Sequence, residues 1–329
     1  MLAASAAVPA AATDAPRPSQ GKAQTRVGGI VQRRRGRRRN RRNTALAFAM
    51  LAPAIVGLSV FVLWPLVRSL YLSFFEWSFY TDNVYVGWKN FVDVVSDPRF
   101  GASVLRGLLF TCMVVPLQLV IAFVFASLVR TVGPKLSGLM KVTIYIPTVV
   151  SMVVASIIFI VIYQYSGGLA NWLVGLFGVD AQAWLGNPKL ALSSLVVPAV
   201  WIGMGLTCLI MLSAVLDIPE TYFEAARLDG CGWLRQQFYI TLPSIKNLTL
   251  YLTITGITAA LQQLEIPLVM TNGEPASSTL LPNLFIFQHF RTDPNVGFSV
   301  AAAFLLFAVI GGVSALVFRL LQSEKSMDS

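Results

Sequence analysis

Charge is what this sequence has least of. Asp, Glu, Lys and Arg make up 12% of its 329 residues, about half the roughly 25% usual in soluble domains. Histidine occurs once, at His289, so His-based catalysis and multi-His metal sites have almost nothing to work with. Three cysteines, Cys112, Cys208 and Cys231, are too few and too scattered for a disulfide framework or a zinc site. Two of them fall in apolar runs, where cysteine is ordinarily a small packing residue. The phosphate loop G-x-x-x-x-G-K-[ST] is missing, which excludes ATP hydrolysis by the chain itself. The lack of His/Asp/Cys clusters argues against an intramembrane enzyme, and no internal repeat is evident.

What the chain has in excess is apolar surface: 56% of residues are hydrophobic and the mean hydropathy is +0.68. Such a chain needs lipid rather than water around most of it. Six runs reach the roughly 20 apolar residues that cross a hydrocarbon core: 45–67, 104–129, 142–163, 190–212, 248–270 and 296–320. The expected fold is therefore all-α and integral to the membrane, with six transmembrane helices in one domain, 44–322.

The net charge of +10 belongs to one segment. Residues 1–43 hold eleven Lys/Arg against the single acid Asp14, and the other 286 residues balance at 14 of each sign. A basic cluster beside a span binds anionic lipid and fixes orientation; an RNA-binding or other interaction arm is the competing reading. Residues 1–32, rich in Ala, Pro, Ser and Thr, read as disordered and lack the unbroken apolar core of a cleavable signal. A tail this basic does not readily cross the membrane, so six crossings would leave both termini cytoplasmic, including a short tail at 323–329. The remaining loop charges, eight Lys/Arg on the cytoplasmic side against five outside, bias the orientation only weakly. Trp77, Tyr80, Trp88, Tyr163, Tyr165, Trp172 and Trp184 lie near apolar boundaries, where aromatics anchor in the headgroup zone. Segment 169–185 suggests a short interfacial helix.

The longest cytoplasmic loop, 218–246, reads Glu224-Ala225-Ala226-Arg227-Leu228-Asp229-Gly230, then Phe238, then Ile240-Thr241-Leu242-Pro243. Pro219 suits a helix's first turn, and 220–228 continue it. Gly230 can take a positive φ, which ends the helix and allows a sharp reversal. A second short helix is expected around 233–239, and Pro243 suits the start of the fifth span, where a missing N–H costs nothing. The product is a compact knob. Ala225 and Ala226 leave one side small enough to enter another protein's cleft, and Glu224 and Asp229 mark its edge. Composition alone equally allows an amphipathic loop lying on the membrane.

Glu-Ala-Ala followed by Asp-Gly, with Ile-x-Leu-Pro downstream, resembles the EAA loop of the permeases of binding-protein-dependent ABC importers. Cys231 stands where that family usually has a small Ala. Three more stretches resemble the family's carbohydrate branch. Leu51-Ala52-Pro53 leads to Trp64-Pro65-Leu66 and Tyr71-Leu72-Ser73-Phe74; Val86-Gly87-Trp88-Lys89-Asn90-Phe91 precedes Asp97-Pro98-Arg99-Phe100; and Thr271-Asn272-Gly273-Glu274-Pro275 is followed by Ser278-Thr279. Glu274 stands where the branch usually has Gly.

The resemblance covers 44–322 and implies a sugar-transporting channel subunit working by alternating access. Glu224, Ala225, Ala226, Asp229, Gly230, Leu242 and Pro243 would couple it to an ATPase. The implied partners are a second permease subunit in a heterodimer, two copies of a cytoplasmic ABC ATPase and an extracytoplasmic solute-binding protein, with lipid around them and no nucleic acid. No cofactor is expected in this chain, since ATP and Mg would be held by the ATPase. The resemblance also places Trp201, Ile202 and Gly203 of the fourth span, with Gln262, Gln263 and Glu265 of the fifth, along the substrate cavity. Amides and a carboxylate bond sugar hydroxyls, and an indole stacks on a sugar's C–H face. The plainer alternative has the glutamines bonding a neighbouring helix and Trp201 packing. An ionised Glu265 would repel a phosphorylated or acidic sugar, which favours a neutral or cationic solute; a neutral di- or oligosaccharide or related polyol is the expected substrate. The rivals are a permease for a non-sugar solute and an ion-coupled secondary transporter using Glu265.

Overall fold

The computed structural model describes residues 46, 48–78, 83–293 and 295–322; the basic tail, Tyr80 and residues 323–329 lie outside them. The chain separates into two compact units at Val67/Arg68. The first carries most of helix α1 (Phe48–Leu72). A π-turn over Ser59–Leu63 precedes Trp64 and Pro65, and proline's missing N–H interrupts the helical ladder at the same place.

The second unit runs through a short antiparallel hairpin, β1 (Phe75–Glu76) and β2 (Val84–Tyr85), and then helices α2 (Lys89–Ser96), α3 (Pro98–Thr131), α4 (Pro134–Val149) and α5 (Met152–Ile162). It continues with α6 (Leu169–Gly175), α7 (Ala191–Leu216), α8 (Glu220–Leu228), α9 (Trp233–Gln236), α10 (Lys246–Leu261), α11 (Glu265–Met270), α12 (Pro282–Thr292) and α13 (Val296–Gln322). Among the described residues, five stretches are long and apolar enough to cross a membrane: α1, α3, α7, α10 with α11, and α13. The pair α4 and α5 makes a sixth if its 97° bend is counted as one broken span.

The expected elements, three spans and one loop helix, thus need four corrections. The run 142–163 starts earlier, at Pro134, and breaks where Val150 and Ser151 take extended dihedrals. The run 248–270 breaks over 262–264, between α10 and α11. The second span begins at Pro98 rather than 104 because Asp97 caps it, accepting from the Arg99 backbone N–H at 2.8 Å with Pro98 at the first position. The second helix of the loop covers only Trp233–Gln236 and passes through a π-turn, Gln237–Thr241, into Leu242–Ser244. Pro243 therefore sits inside that turn, ahead of Ile245 and α10.

Helix α3 packs along α7 and α10, and α4 crosses α7. The crossing is close because Gly205 has no side chain: a Cβ there would lie 2.2 Å from Thr148 Oγ1 and 2.7 Å from the Ile144 carbonyl oxygen. One apolar core gathers Phe110, Leu195, Leu261 and Leu281, and another Phe125, Met211, Val215 and Phe223. The outward faces are apolar as well. Leu105, Leu109, Val120, Leu206, Phe307 and Leu316 are all exposed, the opposite of a surface made for water.

Two of the aromatics expected in the headgroup zone are instead structural. Pro198 inside α7 leaves the Ser194 carbonyl without a helical donor, and the buried Tyr163 hydroxyl donates to that oxygen at 2.9 Å. Trp184 packs against Tyr163 and donates to Asn171 Oδ1 at 2.8 Å. The interfacial helix suggested for 169–185 is limited to α6. Asn90, 1% exposed, joins three strands of the chain. Its Nδ2 donates to the Ser73 and Phe75 carbonyls at 2.8 and 2.9 Å, while its Oδ1 accepts from Asn295 at 2.9 Å.

Candidate functional site

The loop between α7 and α10 forms a projecting knob whose conformation follows from its residues. Helix α8 ends in a Schellman arrangement: Gly230 takes φ +74°, its N–H donates to the Arg227 carbonyl at 3.1 Å, and the Cys231 N–H donates to the Ala226 carbonyl at 2.8 Å. Glu224, Ala225, Asp229 and Gly230 lie exposed on the knob, Ala226 is half-buried, and Leu228 is 89% exposed. Leu242 and Pro243 are exposed too, but they belong to the turn entering α10; Leu242 lines a cleft against Phe123 of α3.

Sequence reasoning missed what holds the knob. Phe223, one residue before Glu224, is 2% exposed and sits in the apolar core beside α3 and α7. Arg130, in the last turn of α3, stacks its guanidinium on the Phe223 ring and pairs with Glu220, which also pairs with Arg227. Exposed ion pairs contribute little alone; the buried ring and the half-buried guanidinium against it fix the helix. A signal was available. Phe223 is the one large apolar residue on the face of 220–228 opposite the Glu-Ala-Ala edge, and Arg130 closes the preceding apolar run.

Midway along the bundle, a cavity of about 90 Å³ is lined by Gln118 and Val114 of α3, Met152 of α5, Gly203 of α7, and Gln263 with Ile266 at the broken span. Of the six residues expected to line a passage, Ile202, Gly203 and Gln263 reach this cavity. Gln263 is buried, with Nε2 3.9 Å from Met152 Sδ. Gln262 and Glu265 are exposed on other faces, and Trp201 packs edge-on against Phe159, 5.7 Å between ring centres. Gln118 was not singled out from sequence. Its Nε2 donates to the Ala199 carbonyl at 3.2 Å and occupies the space where a Cβ of residue 203 would be, 2.3 Å away. At the break itself, the Gln262 carbonyl accepts from Asn283 Nδ2 at 2.8 Å, which meets the demand that backbone polar groups at membrane depth find partners inside the protein. The cavity is smaller than the roughly 300–1,000 Å³ of small-molecule sites.

The Thr271–Pro275 stretch forms a tight turn. Asn272, Gly273, Ala276 and Ser277 have positive φ, and the Glu274–Pro275 bond is cis. Thr271 and Thr279 hydroxyls meet at 2.7 Å across it. Glu274, in place of the usual glycine, lets Oε2 accept from the Ser277 N–H at 3.4 Å.

Membrane-length apolar helices, two of them broken, with a stiff knob set between two spans, define a multi-pass membrane permease. The chain belongs to the family described as binding-protein-dependent transport system inner membrane component, which matches residues 91–326. Its members are membrane subunits of ABC transporters, not enzymes. The sulfoquinovosyl glycerol transport system permease protein SmoG of Agrobacterium fabrum is 29% identical, covering 85% of this chain and 91% of its own length. The lactose transport system permease protein LacF of Rhizobium radiobacter is 30% identical, covering 84% and 93%. In structure, a chain of a bacterial ABC transporter involved in the import of the acidic polysaccharide alginate superposes with a TM-score of 0.73 at 17% identity, covering 87% of this chain and 98% of that one.

Proposed function

We propose that this chain is one of two permease subunits in an ATP-driven importer of a neutral sugar or polyol. Both termini and the knob face the cytoplasm, where two ATPase subunits hold ATP and Mg and receive the knobs in clefts on their surfaces. A solute-binding protein delivers the sugar on the other side. Closure of the ATPase pair brings the knobs together and opens the spans outward; hydrolysis returns them. Gln118 and Gln263 are the first sugar contacts once the central cavity widens. Gln262, Glu265 and Trp201 join them only if the opening exposes their faces to the passage.

The observation that carries this reading is the knob: Glu224, Ala225, Leu228 and Asp229 outward, with Phe223 and Arg130 anchoring it to α3. A piece so held transmits a push along α3 rather than flexing. The neutral substrate rests on the cavity lining, which offers two carboxamides and no charged side chain. Carboxamides donate to and accept from hydroxyls, whereas an acidic sugar calls for a cation. The sugar class is also supported by the relatives named for lactose and for trehalose and maltose.

The test is purification from the native membrane in gentle detergent, with wild type beside Glu224→Lys and Gly230→Pro. An ATPase and a second permease should accompany wild type, and the ATPase should be lost from both variants. A chain that purifies alone or as a homo-oligomer, with the variants unchanged, sinks the importer reading.

A further inference from the structure

Two clefts at the knob end of the bundle share a wall. One, of about 510 Å³, is lined by Arg130, Glu220, Arg227 and Gln236 among others. Its neighbour, of about 600 Å³, is almost wholly apolar, with Val120 and Val124 of α3 facing Phe238 and Leu242. Ser127, Trp233 and Gln237 line both.

That shared wall holds an anomaly. The Ser127 hydroxyl and the Gln237 carboxamide oxygen are buried, their residues 2% and 5% exposed, and neither has a hydrogen-bond partner among the described residues. Buried polar atoms are nearly always paired. Ser and Thr elsewhere in these helices, Thr131 and Thr207 for instance, turn back to their own helix's carbonyls. Ser127 does not, and it faces the junction together with Gln237.

The dimensions fit one kind of molecule. Val120 to Arg130 is ten residues of α3, about 15 Å of helix, or half the roughly 30 Å hydrocarbon thickness. The apolar cleft, lined on α3 from Leu119 to Ser127, and the polar cleft beyond it together make a slot about one leaflet deep. At its mouth, two guanidiniums share a single carboxylate, Glu220, which leaves a net positive charge and unused N–H donors suited to a phosphate. Trp233 stands at the boundary between the polar and apolar parts, where indole is favoured.

We infer that the two clefts together bind one anionic phospholipid. Its phosphate lies against Arg227 and Arg130, an ester oxygen accepts from the Ser127 hydroxyl, a headgroup hydroxyl donates to Gln237 Oε1, and one acyl chain fills the apolar cleft. Because Arg227 belongs to α8, the lipid touches the knob directly and adds its headgroup to the contacts that hold it.

The experiment uses the full chain with whatever subunits co-purify, stripped of lipid in neutral detergent. Dioleoylphosphatidylglycerol, dioleoylphosphatidylcholine and inorganic phosphate are titrated separately, with retained adducts read by native mass spectrometry. Phosphatidylglycerol should bind about tenfold more tightly than phosphatidylcholine. Arg227→Gln, on an exposed helix face, should erase most of that preference, a loss of roughly fivefold to tenfold. Val124→Trp fills the apolar cleft without touching charge and should weaken both lipids. Equal affinity for the two lipids, or insensitivity to both variants, overturns the inference. Inorganic phosphate binding as well as phosphatidylglycerol and unaffected by Val124→Trp makes the ligand a soluble anion and also overturns it. So does efficient cross-linking of Val124→Cys to the second membrane subunit, which would make the cleft a subunit interface.

Discussion

The guanidinium carbon of Arg130 stands 3.2 Å from the centre of the Phe223 ring, so the last turn of α3 is clamped to the knob helix α8. The ring is buried in the apolar core that α3 shares with α7. The same helix α3 carries Gln118 into the central cavity. Removing the ring in Phe223→Ala should cost about 3–5 kcal/mol, lower the melting temperature of the purified complex and speed proteolysis in 218–246. Phe223→Leu keeps most of the filling and forfeits mainly the cation–π attraction, about 0.5–2 kcal/mol. A Phe223→Leu melting temperature equal to wild type's would show that the cation–π clamp contributes nothing, and equal values for the two variants would show the same of the filling.

Gly230→Ala isolates conformational strain from crowding. A Cβ at this position meets nothing within 4 Å, yet φ is +74°. The expected cost is about 1–2 kcal/mol from the left-handed backbone alone. Hydrogen exchange at the Cys231 amide, which closes the cap on the Ala226 carbonyl at 2.8 Å, should quicken. Unchanged protection there would mean that the cap does not depend on glycine.

Gly203→Ala and Gly205→Ala should part company. At Gly205 the obstacle is backbone, the Ile144 carbonyl oxygen at 2.7 Å, so α4 and α7 must separate and the protein should express poorly. At Gly203 the obstacle is the end of the flexible Gln118 side chain at 2.3 Å, so the protein should fold normally. The displaced Gln118 should still alter transport kinetics, measured as uptake in proteoliposomes. A Gly203→Ala protein with wild-type uptake would remove Gln118 from the passage.

His289 should make the end opposite the knob sensitive to acid. It is 8% exposed and packs between Phe285 and Phe298, with Nε2 3.2 Å from Arg99 Nη2. A guanidinium only donates, so Nε2 accepts and the proton sits on Nδ1, 3.6 Å from Asp293. Burial foremost, opposed by Asp293, reinforced by Arg99 and opposed again by Asp97, leaves the imidazole below its ordinary 6.5. Burial alone would raise the Asp97 carboxyl, but hydrogen bonds from the Arg99 side chain and N–H hold it below 3.8. A base depressed in the folded state stays neutral while the unfolded chain takes up a proton. The destabilisation therefore begins as pH falls through about 6.5 and stops growing below the folded value. The Asp97 contribution is kept until far lower pH. Protection factors across Pro282–Thr292, exchange rates taken relative to the intrinsic rate at each pH, should fall between pH 7.5 and 5.5 in wild type and stay level in His289→Phe; an equal response in both would exclude the histidine.

Much of the knob could be read residue by residue. Gly230 ends α8 by positive φ as its position demanded, and Glu224, Ala225 and Asp229 are exposed. Those features are local, since a Schellman cap is built from six consecutive residues. The partners of that helix were not legible, because Arg130 lies 90 residues before Glu220 and nothing in either segment specifies the other. The central cavity was half legible. Polar residues in an apolar run announce themselves, so Gln263 was found; but that Gln263 is buried while Gln262 and Glu265 are exposed goes with the break over 262–264 between α10 and α11. Gln118 is as polar as Gln263 in an equally apolar run, but its place in the cavity depends on the space that Gly203, 85 residues later, leaves beside it.

Composition and the spacing of apolar runs determined by themselves that this is a multi-helix membrane chain, because burying 20 apolar residues in lipid leaves a helix as the only way to satisfy their backbone. The knob's internal shape was determined in the same way, by one glycine and the helix before it. Only the tertiary structure decided where spans break, which glutamines share a cavity, and that Arg130, Phe223 and Glu220 meet. Those outcomes are set by contacts between segments far apart in the chain, where packing rather than local preference chooses the arrangement.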